Sequence, residues 1–182
     1  KTQYGDEGRN EQYGNIKNVI PFNLIIMKKI FSLLAAGFIS CMAVKAQVLS
    51  TKNISLDAAK KVAYEAAAYA KANNAPGGSI AIVDNGGNLL YLERLDNSFV
   101  ASTDVAIQKA RTAAQFKGPS KKLEDAINNG RNALITVGRT FLQGGIPIIY
   151  DGQVIGAIGV SGAASAQQDE EIALAGSKAK LD

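Results

Sequence analysis

Histidine and tryptophan are absent from the 182 residues, and the single cysteine and both methionines, Cys41, Met27 and Met42, fall in the N-terminal part. From residue 47 onward the chain has no imidazole, thiol or thioether. That inventory excludes a thiol nucleophile, a serine-histidine triad, a zinc site and His-ligated haem. It excludes disulfides too, so stability must rest on the packed core. Basic charge is scarce in the same region. The whole chain carries +4, but residues 47–182 hold 14 Lys plus Arg against 13 Asp plus Glu, a net of +1. With no concentrated basic stripe, aromatic ladder or nucleic-acid motif, no nucleic-acid partner is expected. No repeat of any period occurs. Near-average hydrophobic and charged content at this length reads as one domain of ordinary size.

Long hydrophobic runs are missing as well. Residues 1–26 are polar and begin without methionine, which reads as a disordered tail or an extension from a misplaced gene start. From Met27 the pattern changes. Lys28-Lys29 is a positive pair, Ile30 to Ile39 an apolar core, and Val44-Lys45-Ala46 a small-residue cleavage site. The apolar core is far shorter than the roughly 20 residues that span a bilayer, so residues 27–46 read as a secretory signal peptide. The expected product is an exported chain, periplasmic or secreted, starting at Gln47 and without a transmembrane segment. A competing reading makes Phe38-Ile39-Ser40-Cys41 a loose lipoprotein box with Cys41 lipidated.

The most informative stretch is GGIPIIYDGQVIGAIGVSG, residues 144–162. Two β-prone runs flank Asp151-Gly152, a dipeptide suited to a primed turn, so a hairpin is expected. Gly156 and Gly159 leave one face of the second strand bare, which lets a helix backbone or a flat ligand come close. Gly144-Gly145 and Ser161-Gly162 then flank the same end of the hairpin as two amide-rich loops.

Upstream, Ser55 caps a helix in which Leu56, Ala59, Val62, Ala63, Ala66 and Ala70 recur at helical spacing, closed near Asn73-Asn74. Runs 79–84 and 89–94 around Asn85-Gly86-Gly87-Asn88 form a first hairpin. Ser102 or Thr103 caps a second helix reaching Phe116, and Ser120 caps a third that ends near Asn129-Gly130. Residues 133–137 read equally as strand or helical turn. A last helix runs from about Ala166 to Ala179. Strands segregated into hairpins, with helices between them, indicate an α+β domain: an antiparallel sheet covered by helices.

Candidate chemistry is sparse. Arg94, between Glu93 and Asp96, is either a loop anchor or a guanidinium clamp for a planar carboxylate. Lys109 is either a boundary lysine on the second helix or an anion contact. Gly144, Gly145, Ser161 and Gly162 offer backbone amides to an anion, though such pairs also occur in plain turns. Asp169 suits the N-terminal turn of the last helix. No acid, base and nucleophile stand at a diagnostic spacing.

GGIPI, the DG turn, IGAIGVSGA and Asp169, preceded by AIVDNGGNLLYLERLD at 81–96, SFVAS at 98–102 and VAIQKARTAAQF at 105–116, resemble the GlcG/HbpS-like family of haem-binding or haem-degrading proteins. The likeness spans about residues 50–176. It implies a profilin-like α/β/α layering on a five-stranded antiparallel sheet, self-association, and a haem, tetrapyrrole or other flat anionic ligand near Gly144, Gly145, Ser161, Gly162, Asp169, Arg94 and Lys109. An alternative is a small-molecule enzyme, haem-degrading or accessory to organic-acid catabolism; another is a sensory or structural partner protein. The chain departs from histidine-bearing relatives. Axial ligation after residue 46 is open only to Tyr64, Tyr69, Tyr91 or Tyr150, to a lysine, or to Thr103 or Thr112, so haem would be held mainly by its apolar face and propionates.

Overall fold

Asp151 and Gly152 adopt φ of 47° and 72°, so the hairpin predicted around them closes with two positive-φ residues, the geometry whose twist matches paired strands. The structure is a computed structural model that describes residues 24–33, 47 and 49–181. The cleavage site Val44-Lys45-Ala46, Cys41 and most of the polar tail lie outside the described residues. The chain divides into two units, Lys1–Leu49 and Ser50–Asp182. In the first, residues 24–33 are helical (α1). No helix among the described residues is long and apolar enough to cross a membrane.

In the second unit α2 (Leu56–Ala72) is followed by β1 (Ser79–Asp84), β2 (Leu89–Arg94), α3 (Ser102–Gln115), α4 (Lys121–Asn128), a 3₁₀ helix (Asn132–Val137), β3 (Gly145–Tyr150), β4 (Gln153–Ser161) and α5 (Ala166–Ser177). The four strands form one antiparallel sheet in the order β2-β1-β4-β3. Two helix starts follow the sequence. Ser55 Oγ accepts from Ala58 N at 3.2 Å, and Ser165 Oγ from Gln168 N at 3.1 Å. Two do not. Ser102 is the first residue of α3 rather than its cap, and its buried hydroxyl meets Ser79 Oγ at 2.8 Å. Ser120 stands at the start of α4, but its hydroxyl donates to Leu142 O at 2.6 Å instead of capping the helix.

Where five strands were expected, the described sheet has four. The ambiguous segment 133–137 became a 3₁₀ turn, in which Thr136 Oγ1 donates to Ala133 O at 2.7 Å and Gly138 ends the turn at φ 68°. Such side-chain bonds compete with strand pairing. The following residues are tied sideways: Thr112 Oγ1 donates to Thr140 O, and Ser120 Oγ to Leu142 O. The free edge of β3 is also blunted, because Gly145 exchanges both backbone bonds with Ser120 and Pro147 has no N–H to offer.

Alternation along the strands sorts the core into two layers. Ile80, Ile82, Ile146, Ile148, Ile158 and Val160 face α2 and α5, while Ala81, Val83 and Ala157 face α3. The expected α/β/α layering is therefore present. At the tip of the first hairpin Asp84 Oδ1 accepts from Gly86 N and Asn88 N at 2.9 and 2.8 Å. Burial works to raise the Asp84 carboxyl, but hydrogen bonds from Asn88, Gly86 and Gly87 outweigh it and hold the group below its ordinary value of 3.8.

Candidate functional site

The expected ligand loops meet at one end of the sheet. Ser79 on β1 is paired with Ser161 on β4 and Arg94 on β2, and Val160 N donates to Gly144 O at 2.9 Å. Gly145 and Gly159 face each other across the β3–β4 ladder, beneath α3. A Cβ at Gly159 would sit 2.5 Å from Ala110 N and closer still to Ala106 O; one at Gly145 would press on the Lys109 carbonyl. One bare face was expected from Gly156 and Gly159, but the two point to opposite faces: the backbone of α3 occupies the space over Gly159, while Gly156 lies against Val83 O and the Ile54 side chain.

That close approach carries Lys109 past the end of β3. Its Nζ donates to Val160 O and to Asp169 Oδ2, both at 2.9 Å, and the two charged side chains are only 4% and 8% exposed. Asp169 Oδ1 accepts from Ala163 N at 2.9 Å. Buried ion pairs repay their desolvation only when further hydrogen bonds satisfy both partners, and here each partner has one. The pair fastens α3, on one face of the sheet, to α5 on the other. Gly144 makes this possible. At φ 119° it takes a conformation that side chains disfavour, and a Cβ there would lie 2.7 Å from Val160 O and 3.1 Å from Lys109 Nζ.

The structure thus brings together Lys109, Gly144, Gly145, Ser161, Gly162 and Asp169. Two amides of these loops are already engaged: Gly145 N donates to Ser120 Oγ at 2.9 Å, and Ala163 N to Asp169. On the side of Gly144 where a Cβ would project, Val160 O, Asp169 and Lys109 already fill the space. Arg94 lies two strands away, exposed, with Nη2 donating to Ser98 O at 2.7 Å, so it closes the loop between β2 and α3. Sequence reasoning missed Ser79, Ser102 and Ser120, whose buried hydroxyls knit this end. Nothing in their local pattern distinguishes them from helix caps or strand residues.

Open space lies elsewhere. A trough of about 860 Å³ runs between the outer stripe of α2, the face of β2 and the residues after α5, with Tyr64, Tyr91, Lys60, Lys178 and Lys180 in its lining. A second of about 590 Å³ shares Tyr64, Ala67 and Glu93 with it and continues to Pro76 and Asn97. Two smaller clefts, of about 360 and 350 Å³, lie by Tyr150 and by Phe141.

Residues 54–178 match the family model described as "Haem degrading protein HbpS-like". The chain belongs to the HbpS-like family. Among its relatives, protein GlcG of Escherichia coli K12 is 46% identical over 84 residues, which cover 46% of this chain and 63% of GlcG. This HbpS-like chain also superposes on the crystal structure of Klebsiella pneumoniae protein ORFY with a TM-score of 0.68 and 30% identity, over 74% of this chain and 94% of that one. A crystal structure titled as a PduOC:haem complex aligns with a TM-score of 0.63 and 25% identity, over 71% of this chain and 96% of that one.

Proposed function

We propose that this HbpS-like protein binds haem, a related tetrapyrrole or another flat anionic small molecule, and that binding rather than catalysis is its activity. The observation that carries the reading is the burial of the Lys109–Asp169 pair. The one buried ion pair among the described residues is 4% and 8% exposed and tied to Val160 O and Ala163 N, which turns both charged groups inward rather than towards a substrate. The haem-bound PduOC relative of the same fold supports the ligand class. Haem bound here supplies a large apolar face, two propionates and an iron centre. With no His, Cys or Met from residue 47 onward, apolar contact and pairing of the propionates with cations carry the affinity.

Titrating the protein with haemin while following the haem absorption band tests this directly; an unshifted band up to saturating protein would sink the binding reading. The family description favours a second reading, haem degradation. Steady bleaching of the bound band with a reductant and oxygen present, together with release of iron, would establish it in place of simple binding.

Export belongs to the same proposal, supported by Lys28-Lys29, the short apolar core and Val44-Lys45-Ala46. Mass spectrometry of protein from a secreting host should give a chain beginning at Gln47, whereas an uncleaved cytosolic product would reject it. Self-association is expected through an isologous contact, read by light scattering at micromolar concentration.

A further inference from the structure

The trough along α2 combines features that the sheet end lacks. Lys60, Tyr64 and Ala67 stand at i, i+4 and i+7 on α2, so they form one stripe beside the buried stripe of Ala59, Val62, Ala63 and Ala66. Opposite them is Tyr91 on β2, half-buried, and the third wall is the segment Ala175 to Lys180 at and beyond the end of α5. Ala67, Ala175 and Ala179 put only methyl groups on the lining, which leaves that part of it apolar and free of bulky side chains. At about 860 Å³ the trough is within the range of about 300–1,000 Å³ usual for small-molecule sites. Its rim is cationic. Lys178 and Lys180 make no ion pair among the described residues, and Lys60 has only a 3.9 Å contact with the exposed Asp57. Lys61, Glu65 and Glu93 line it too, on α2 and β2, so the wall formed by Ala175 to Lys180 is the one whose charged residues are all cations.

We infer that this trough is the ligand site, and that it takes a flat aromatic dianion whose ring system lies on the alanine floor between Tyr64 and Tyr91 and whose carboxylates meet Lys60, Lys178 and Lys180. The inference rests on the binding function proposed above and gives it an address. It also sorts the tyrosines: of the four in residues 47–182, Tyr64 and Tyr91 share this trough, while Tyr69 and Tyr150 are not in its lining. Aromatic rings on either side of a flat ligand contribute contact area whether or not the ligand carries iron. Binding at this site therefore depends on ring and charge rather than on an axial bond.

The test is titration of the full chain with haemin and, separately, with iron-free protoporphyrin IX, read by the absorption band and by quenching of tyrosine fluorescence, which no tryptophan obscures. Lys178→Glu/Lys180→Glu and, separately, Tyr64→Ala/Tyr91→Ala should each weaken both ligands at least tenfold. Lys117→Glu/Lys122→Glu, the same change of net charge near α4, should leave both affinities within twofold. The thermal midpoint of every variant checks folding. If the wild-type chain binds and the trough variants bind equally well, the site lies elsewhere and the inference falls while the binding function stands. If haemin binds and protoporphyrin does not, iron ligation dominates and the inference also falls. Failure of the wild type to bind either ligand overturns both.

Discussion

The two faces of the sheet are packed by opposite means. Towards α2 and α5 it presents isoleucines and valines, five of which, Ile80, Ile82, Ile148, Ile158 and Val160, are fully buried. Towards α3 it presents Ala81, Ala157, Gly145 and Gly159, with Val83 the largest buried hydrophobic. The first face keeps its helices at side-chain distance, and each large aliphatic removed from water contributes about 1.5–3 kcal/mol. The second gives up side-chain volume so that a helix backbone can rest on the strands. The difference has a consequence for charge. Only a helix this close can send a lysine past the end of β3 to a carboxylate on the opposite layer.

Breaking that cross-layer contact should have the largest effect. Asp169→Ala leaves Lys109 buried without its counter-charge and should cost about 3–5 kcal/mol, while Lys109→Met/Asp169→Leu should recover most of the loss, both measured by urea unfolding. If the single and double variants were equally unstable, the pair would not be an energetic unit. Next comes the backbone contact itself: Gly159→Val drives carbon into Ala106 O and Ala110 N and should cost about 3 kcal/mol, because overpacking a rigid contact is not relieved by rotamer change. The aliphatic face should respond more mildly. Ile158→Val, which removes one methylene from a fully buried side chain, should cost about 0.5–1.5 kcal/mol. A loss as large as that of Gly159→Val would erase the contrast between the faces.

The smallest effect lies away from both faces, at the tip of the first hairpin. Asp84 is held below its ordinary value of 3.8, so its contribution is complete above that pH and is lost as the pH falls through the lower folded-state value. The stability difference between wild type and Asp84→Asn should accordingly shrink in acid below pH 3.8, which acid-unfolding curves of the two proteins would show.

Both hairpins, the Asp151-Gly152 turn and the first helix with its Ser55 cap could be read from the chain because each depends on neighbours a few residues apart. The need for a close partner was legible in Gly159, although Gly156, three residues earlier on the strand, points to the other layer, towards Ile54. The identity of that partner was not. A helix backbone and a flat ligand make the same demand on a glycine strand, and only the position of α3 chooses between them. Lys109 and Asp169 were each visible, one as a boundary lysine and the other as a helix-terminal acid, yet they are 60 residues apart and their meeting depends on how far α3 sinks onto the sheet. Ser102 was mistaken for a cap, and Ser120, which does stand at the cap position, turns its hydroxyl away from the helix; a hydroxyl beside a helix start has the same local signature in either case.

Local patterning thus decided the elements outside segment 133–137, their order and the absence of any imidazole, thiol or disulfide chemistry after residue 46. Tertiary structure alone decided which surfaces stay open. Gly145 and Gly159 were covered by the backbone of α3, while a plain stripe of α2, Lys60, Tyr64 and Ala67, came to face Tyr91 and Lys178 across a trough. The reason is physical: hydrogen-bond caps, turns and periodicity are short-range properties of the backbone, whereas a cavity is what remains when segments distant in the chain have finished packing.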